Sequence, residues 1–291
     1  MTEENIEIIL KNLADLSARD ALTKEQRHLC LEQLYLELCA IYDNNSAAAY
    51  ENITHLLGDR ITTEDKIFLC RKICDEESDI SKAYPSFGAP HMKVPPGAHG
   101  KVAYVRNRYN DTAFDTFSRL VPHSRAIYHT TFESCCEAVS NGECEFTILP
   151  IENTSDGKMF GFYSLLDRYE LRICAVCSVE DDELSKTVRY ALAGRNYLSE
   201  HIEKSRGSQA RIFEFCLTSL AKRDLPDIIR AASLCSAEIY RLSGLPSHYD
   251  DMIMKFYYSL KLSDSSTLPA FLTYMKLEHP GYSAIGIYRE I

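Results

Sequence analysis

The sequence predicts a multidomain protein of α+β and α/β class. An N-terminal α-helical domain precedes a three-layer α/β domain and a C-terminal ferredoxin-like domain. Three observations predict this. Before residue 82, apolar residues recur at i, i+3, i+4 and i+7. From residue 100, strand-like and helix-like segments alternate, the order that builds a mostly parallel sheet with helices on its faces. From residue 209 the order becomes βαββαβ.

In the first domain, residues 1–82, "CLEQLYLELCAIY" carries the helical spacing. "TTEDKIFLCRKICDEE" repeats it, with Thr62 or Thr63 as N-cap and acids in the first turn. Residues 83–99 lie in "YPSFGAPHMKVPPGAHG", whose Pro and Gly mark a linker.

The second domain, residues 100–196, opens on the strand "KVAYV". The helix "NDTAFDTFSRLV" follows, capped by Asn110 or Asp111, then the strand "RAIYHT". The helix "FESCCEAVSNGE" is closed by Asn141-Gly142. The strand "EFTILPI", the helix "KMFGFYSLLDRY" and the strands "LRICAVCSV" and "TVRYALAG" complete it. The polar stretch "SEHIEKSRGSQ" is a second boundary, and residues 209–291 form the βαββαβ domain.

Lys and Arg number 32 against 42 Asp and Glu, a formal net charge of −10, and nucleic-acid binding is not expected, because phosphate contacts need clustered cations. No segment approaches the ~18 apolar residues of a membrane span. The N-terminus "MTEENIEIILKN" is acidic and lacks the basic-then-apolar order of a secretion signal, so a cytoplasmic protein is expected. Its eleven cysteines are then expected to be reduced and mostly buried. Cys174 and Cys177 form a lone C-x-x-C in a strand, where three residues of separation predict opposite faces. Cys70 and Cys74 share a helix without His partners, so neither a metal nor a cofactor is expected.

"FTILPIENTSDG", residues 146–157, runs from an apolar strand into several small polar groups. A strand end, a polar loop and a helix N-terminus make a site for an anion or hydroxyl. Asn153, Thr154, Ser155 or Asp156 acting as a simple helix N-cap is the alternative.

The ordered set of segments resembles the prephenate dehydratase family, most fully its two-function P-proteins. Those join a helical chorismate mutase, a dehydratase domain and a phenylalanine-sensing ACT domain. "KVAYVRNRYNDTAFDTF", "TTFESCCEAVSNGECEFTILPIENTSDG" and "SKTVRYALAGR" carry the likeness for the second domain. Residues 209–291 resemble the ACT domain. "TTEDKIFLCRKICDEESDISKAYP" is similar to the last mutase helix.

The resemblance implies a periplasmic-binding-protein-like dehydratase domain, normally of two lobes with the site between them. Residues 100–196 have room for a single lobe. Asn153, Thr154 and Ser155 would position substrate, Arg189 would clamp a carboxylate and Thr187 would donate a proton. Aligning Arg189-Tyr190 with the family's Thr-Arg-Phe puts Val188 at the Thr position, with Thr187 one residue early. Leu225 and Pro246 fit the regulatory ligand pattern of family ACT domains, while its Gly-Ala, Glu and Arg are absent here. The implied ligand is a small acid of phenylalanine biosynthesis, prephenate or a phenylalanine-like molecule, and a homodimer is expected. Three functions follow: a working prephenate dehydratase, a catalytically impaired relative that binds an aromatic ligand or regulates, and a helical chorismate mutase.

Overall fold

The computed structural model describes residues 8, 9, 11, 24–76, 95–155, 157–181, 186–195, 211–218, 224–246, 254–263 and 265–291. Most of residues 1–23 and of the expected linker, and the boundary "SEHIEKSRGSQ", lie outside the described residues. Helices run α1 Lys24–Ile41, α2 Ser46–Leu57, α3 Thr63–Glu76, α4 Arg108–Ser118, α5 Phe132–Ser140, α6 Phe160–Arg168, α7 Asp224–Leu234 and α8 Leu268–Glu278. Strands run β1 Lys101–Val105, β2 Arg125–His129, β3 Phe146–Asn153, β4 Gly157–Lys158, β5 Arg172–Asp181, β6 Lys186–Gly194, β7 Arg211–Leu217, β8 Ala237–Pro246, β9 Met254–Leu262 and β10 Ser283–Tyr288.

The chain divides into two compact units. The first gathers α1, α2 and α3 with α7 and α8. α1 buries Leu31, Leu34, Tyr35, Leu38 and Cys39, one stripe at helical spacing. α3 opens on a capping box: Asp65 N–H donates to Thr62 Oγ1 at 3.2 Å, and Asp65 Oδ2 accepts from Thr62 N–H at 2.8 Å. Tyr50 donates to Glu278 Oε1 at 2.8 Å, and Lys66 pairs with the same carboxylate, tying α2 and α3 to α8.

The second unit is built on one sheet in the order β2-β1-β3-β6-β5-β10-β7-β9-β8, with β4 beside β3. The sheet is mixed rather than mostly parallel: β1 runs parallel to β2 and β3, whereas β6 is antiparallel to both β3 and β5. Parallel neighbours need a long crossover. Residues 182–185 alone separate β5 from β6, so the chain returns antiparallel. Val102, Ile148, Cys174 and Leu192 pack with Ala113 and Phe117 of α4 on one face. Leu149, Ile173 and Ala191 pack with Cys135 and Val139 of α5 and Leu166 of α6 on the other. Ile212, Tyr257, Ile285 and Tyr288 from the C-terminal strands join this second core.

Three local expectations are corrected. α4 is capped by Asn107, whose Oδ1 accepts from Asn110 N–H at 2.8 Å, not by Asn110 or Asp111. Asn110 turns back to the Val105 carbonyl and Asp111 accepts from Tyr104. Cys174 and Cys177 share one face, because a bulge between Ile173 and Ala175 shifts the alternation. The segment "KMFGFYSLLDRY" is helical only from Phe160: Gly157, at φ 70°, turns the chain back, and Lys158 pairs with Glu152 as β4.

β10 is the seam where the C-terminal strands meet β5. Gly286 lies opposite Ile173, and a Cβ there would come to 2.6 Å from the Ile173 carbonyl oxygen. Gly286→Ala is expected to destabilise the protein by about 1–3 kcal/mol in urea unfolding, since backbone on both sides prevents relaxation. Gly281→Ala, whose Cβ would meet nothing within 4 Å, is the control. Equal midpoints for the two variants would mean that β10 does not lie against β5.

Candidate functional site

β3 and β6 carry the residues singled out in the sequence, and their pairing brings most of them together. Glu152 lies opposite Arg189, and Asn153 opposite Val188. Thr154 N–H donates to the Thr187 carbonyl at 3.1 Å, and Thr187 N–H to Thr154 Oγ1 at 3.3 Å. Asn153, Thr187 and Arg189 therefore sit on adjacent strands, with Thr154 and Ser155 in the turn that follows β3. Leu225 lies on α7, and Pro246 ends β8 opposite Met254.

The polar loop is not a helix cap. Asn153 Oδ1 accepts from Ser155 N–H at 3.0 Å, a tight side-chain turn that leads into β4. α6 begins at Phe160 behind Met159, which supplies no side-chain cap. The loop is thus the tip of a β3–β4 hairpin, with Thr154 and Ser155 exposed.

Strand alternation decides what Thr187 can do. Val188, Tyr190 and Leu192 face the core beneath α4, while Ala191 and Ala193 face the one beneath α5 and α6. Thr187 and Arg189 share the side of Ala191 and Ala193. In a regular strand, consecutive Thr-Arg would point to opposite faces. The intervening Val188 puts the hydroxyl and the guanidinium on one side.

Arg189 is enclosed. Its Nη1 donates to Glu152 Oε2 and its Nη2 to Glu290 Oε1, and its side chain is 13% exposed. Arg241, on β8, donates to the same Oε2 of Glu152. Burial pulls the Arg189 guanidinium down, but neighbouring Tyr288, Glu290 and Glu152 outweigh it and hold the cation more firmly than usual.

A second polar cluster adjoins the first. Lys158 pairs with Glu214 on β7, both side chains almost wholly buried. Lys158 Nζ donates to Tyr163 OH at 2.6 Å. Tyr163 OH donates to Glu214 Oε1 at 3.0 Å, and Tyr288 OH to Oε2 at 2.8 Å. Burial pushes the Glu214 carboxyl up, yet the Lys158 charge and the hydrogen bonds from Lys158, Tyr288 and Tyr163 prevail and hold it below the usual range. On β9, Lys255 reaches Asp167 of α6 at 2.7 Å.

The sequence reading missed Glu152, Arg241, Glu290, Lys158 and Glu214. Glu214 had a signal: it is a lone charge inside "RIFEFCL", and a buried charge needs a partner. Nothing local identifies Lys158 as that partner, 56 residues away. Among the described residues no group of three or more His, Cys, Asp or Glu is placed to hold a metal ion.

Residues 106–240 match the family model described as prephenate dehydratase. Arogenate dehydratase 2 of Petunia hybrida is 26% identical over 177 residues, 53% of this chain and 42% of the relative. The chain thus spans less than half the length of that curated relative. Among solved structures, the prephenate dehydratase of Streptococcus mutans superposes with a TM-score of 0.53 at 15% identity, covering 65% of this chain and 98% of that one. This last likeness is one of fold.

Proposed function

We propose that this chain, which carries a prephenate dehydratase-family domain at residues 106–240, serves phenylalanine biosynthesis with its own dehydratase chemistry impaired. The reaction at issue is the decarboxylating dehydration of prephenate to phenylpyruvate. The C–C bond to the ring carboxylate breaks, its electron pair enters the ring, and the ring hydroxyl leaves as water after protonation. A catalyst must clamp carboxylates, protonate the departing oxygen and exclude water. Thr187 is the proton donor and Arg189 the clamp in this reading. Asn153, Thr154 and Ser155 position the substrate.

The observation that carries the impairment is the state of Arg189. Both of its Nη groups are engaged by internal carboxylates, Glu152 and Glu290. The fork that would grip a substrate carboxylate bidentately is split between them. The hydroxyl of Thr187 is also displaced by one residue from the place the family motif gives it.

Within the same reading, residues 209–291 are an ACT-like regulatory module, supported by the strand order β10-β7-β9-β8. Leu225 and Pro246 are remnants of its ligand pattern. The protein is a cytoplasmic homodimer with the boundaries 1–82, 83–99, 100–196 and 209–291. Among the described residues of 1–82, the cations do not favour a mutase site. A dianionic substrate needs converging free cations, whereas Arg27 pairs with Asp65, Lys66 with Glu278 and Lys72 with Glu32.

The test is turnover. Purified protein mixed with prephenate at neutral pH should form phenylpyruvate no faster than buffer does, and arogenate should likewise persist. Turnover that disappears in a Thr187→Ala, Arg189→Ala double variant would overturn the impairment.

A further inference from the structure

The split grip on Arg189 is unequal, and the inequality points to a ligand. Glu152 is 13% exposed and shared by two guanidiniums, so it is fixed. Glu290 is 51% exposed, and its ion pair among the described residues is with Arg189. The backbone around Glu290 is held separately: Val176 N–H donates to the Arg289 carbonyl at 3.1 Å, and Ile291 N–H to the Val176 carbonyl at 2.9 Å. The Glu290 side chain can therefore swing into water without undoing β10 or its seam with β5.

We propose that Arg189 and Arg241 form a latched binding site for a small aromatic monocarboxylate, with the Glu290 carboxylate as the latch. It rests on the reading above only in placing Arg189 at the ligand site. With Glu290 turned away, two guanidiniums remain against one carboxylate, Glu152. That leaves one net positive charge, which one ligand carboxylate satisfies through the freed Nη2 of Arg189. A dicarboxylate would leave the cluster negative by one charge. The neighbouring Lys158–Glu214 pair is neutral and does not change this count.

The surroundings suit a ring. Tyr240 is 39% exposed, and the Arg241 guanidinium lies 5.6 Å from the centre of its ring. The exposed Tyr240 ring beside Arg241 is the aromatic surface offered to a phenyl group held by its carboxylate on Arg189. The site takes product-like aromatic acids with one carboxylate in preference to dicarboxylate substrates, and the residue that closes it, Glu290, follows β10 in an isolated bridge with Val176.

The experiment uses the full chain and 3-phenylpropanoate as probe, followed by isothermal titration calorimetry at pH 7.5. Glu290→Gln keeps the shape and removes the competing charge. It should bind the probe about tenfold more tightly than the unmodified protein, the scale of one charge-assisted contact regained. Phenylsuccinate, with two carboxylates, should gain less, and 3-phenylpropylamine should gain nothing. Adding Arg189→Met to Glu290→Gln should abolish the gain. Should that double variant not fold, Arg241→Gln on Glu290→Gln gives the same reading, because it removes the net positive charge. Equal affinity in the unmodified protein and Glu290→Gln would overturn the proposal, as would a gain shared by the amine. Turnover of prephenate by the unmodified protein would overturn the impairment and leave this inference to be judged by the binding data.

Discussion

Replacing Lys158 by alanine should destabilise the protein by about 3–5 kcal/mol, the cost of leaving a buried carboxylate without its counterion. Glu214 is fully buried, and its two oxygens are shared among Lys158, Tyr163 and Tyr288. Without Lys158 the two tyrosine hydroxyls still donate, but no positive charge balances the carboxylate. The Lys158 ammonium also lies 4.5 Å from the centre of the Tyr163 ring and 5.8 Å from that of Tyr257, so its removal leaves these rings around a cavity. Urea unfolding followed by far-ultraviolet circular dichroism measures the difference. Lys158→Met with Glu214→Leu should recover most of the loss, because an apolar pair of similar volume avoids desolvating both charges. A single-variant loss below 1 kcal/mol would show that the pair is not buried.

Acid should act on the same centre. The folded Glu214 carboxyl is held below its ordinary value, so its contribution is fully present above the unfolded pKa and is lost as pH falls through the lower, folded one. The Lys158→Met, Glu214→Leu protein lacks this contribution, and its stability should fall less steeply below about pH 4.

Much of the local structure was legible, and the reason is range. The stripe Leu31, Leu34, Tyr35, Leu38 and Cys39 is fixed by helical spacing within α1. Asn141 and Gly142 end α5 where expected, with Gly142 at φ 75°. The chain order β7-α7-β8-β9-α8-β10 is the βαββαβ succession read from the sequence. What stayed hidden depends on partners far along the chain. The seam between β10 and β5 joins Gly286 to Ile173, and no pattern near either predicts it. A bulge at Cys174 reverses a face assignment that simple alternation gives. The candidate site shows the same division. The adjacency of Asn153 and Val188 follows once β3 and β6 pair. The enclosure of Arg189 needed Arg241 and Glu290 from 89 and 101 residues away from Glu152 and Arg189 respectively.

Asp65→Ala should cost about 3 kcal/mol, and it bears on what the helical unit can do. Asp65 is 1% exposed. It accepts from Arg27 Nε at 2.9 Å and Nη2 at 2.8 Å, a bidentate grip, and from Thr62 N–H and Oγ1–H at 2.8 Å each. Alanine removes the counterion of Arg27 and half of the capping box that starts α3, worth about 0.5–2 kcal/mol alone. Arg27 keeps its bond from Nη2 to the Arg60 carbonyl at 2.7 Å and partial access to water, which places the total at the lower end for a broken buried pair. Burial raises the Asp65 carboxyl, but Arg27 and Thr62 lower it further, so its contribution is present above the unfolded pKa and lost as pH falls through the folded one. Thermal unfolding of Asp65→Ala and Asp65→Asn across pH 3 to 7 checks both points, since Asn retains part of the cap without the charge. Binding of a dicarboxylate probe to the same variants separates the two roles open to Arg27. A structural cation costs stability when Asp65 goes and gains no ligand. A mutase-type substrate cation would instead bind the dianion more tightly once its internal competitor is removed.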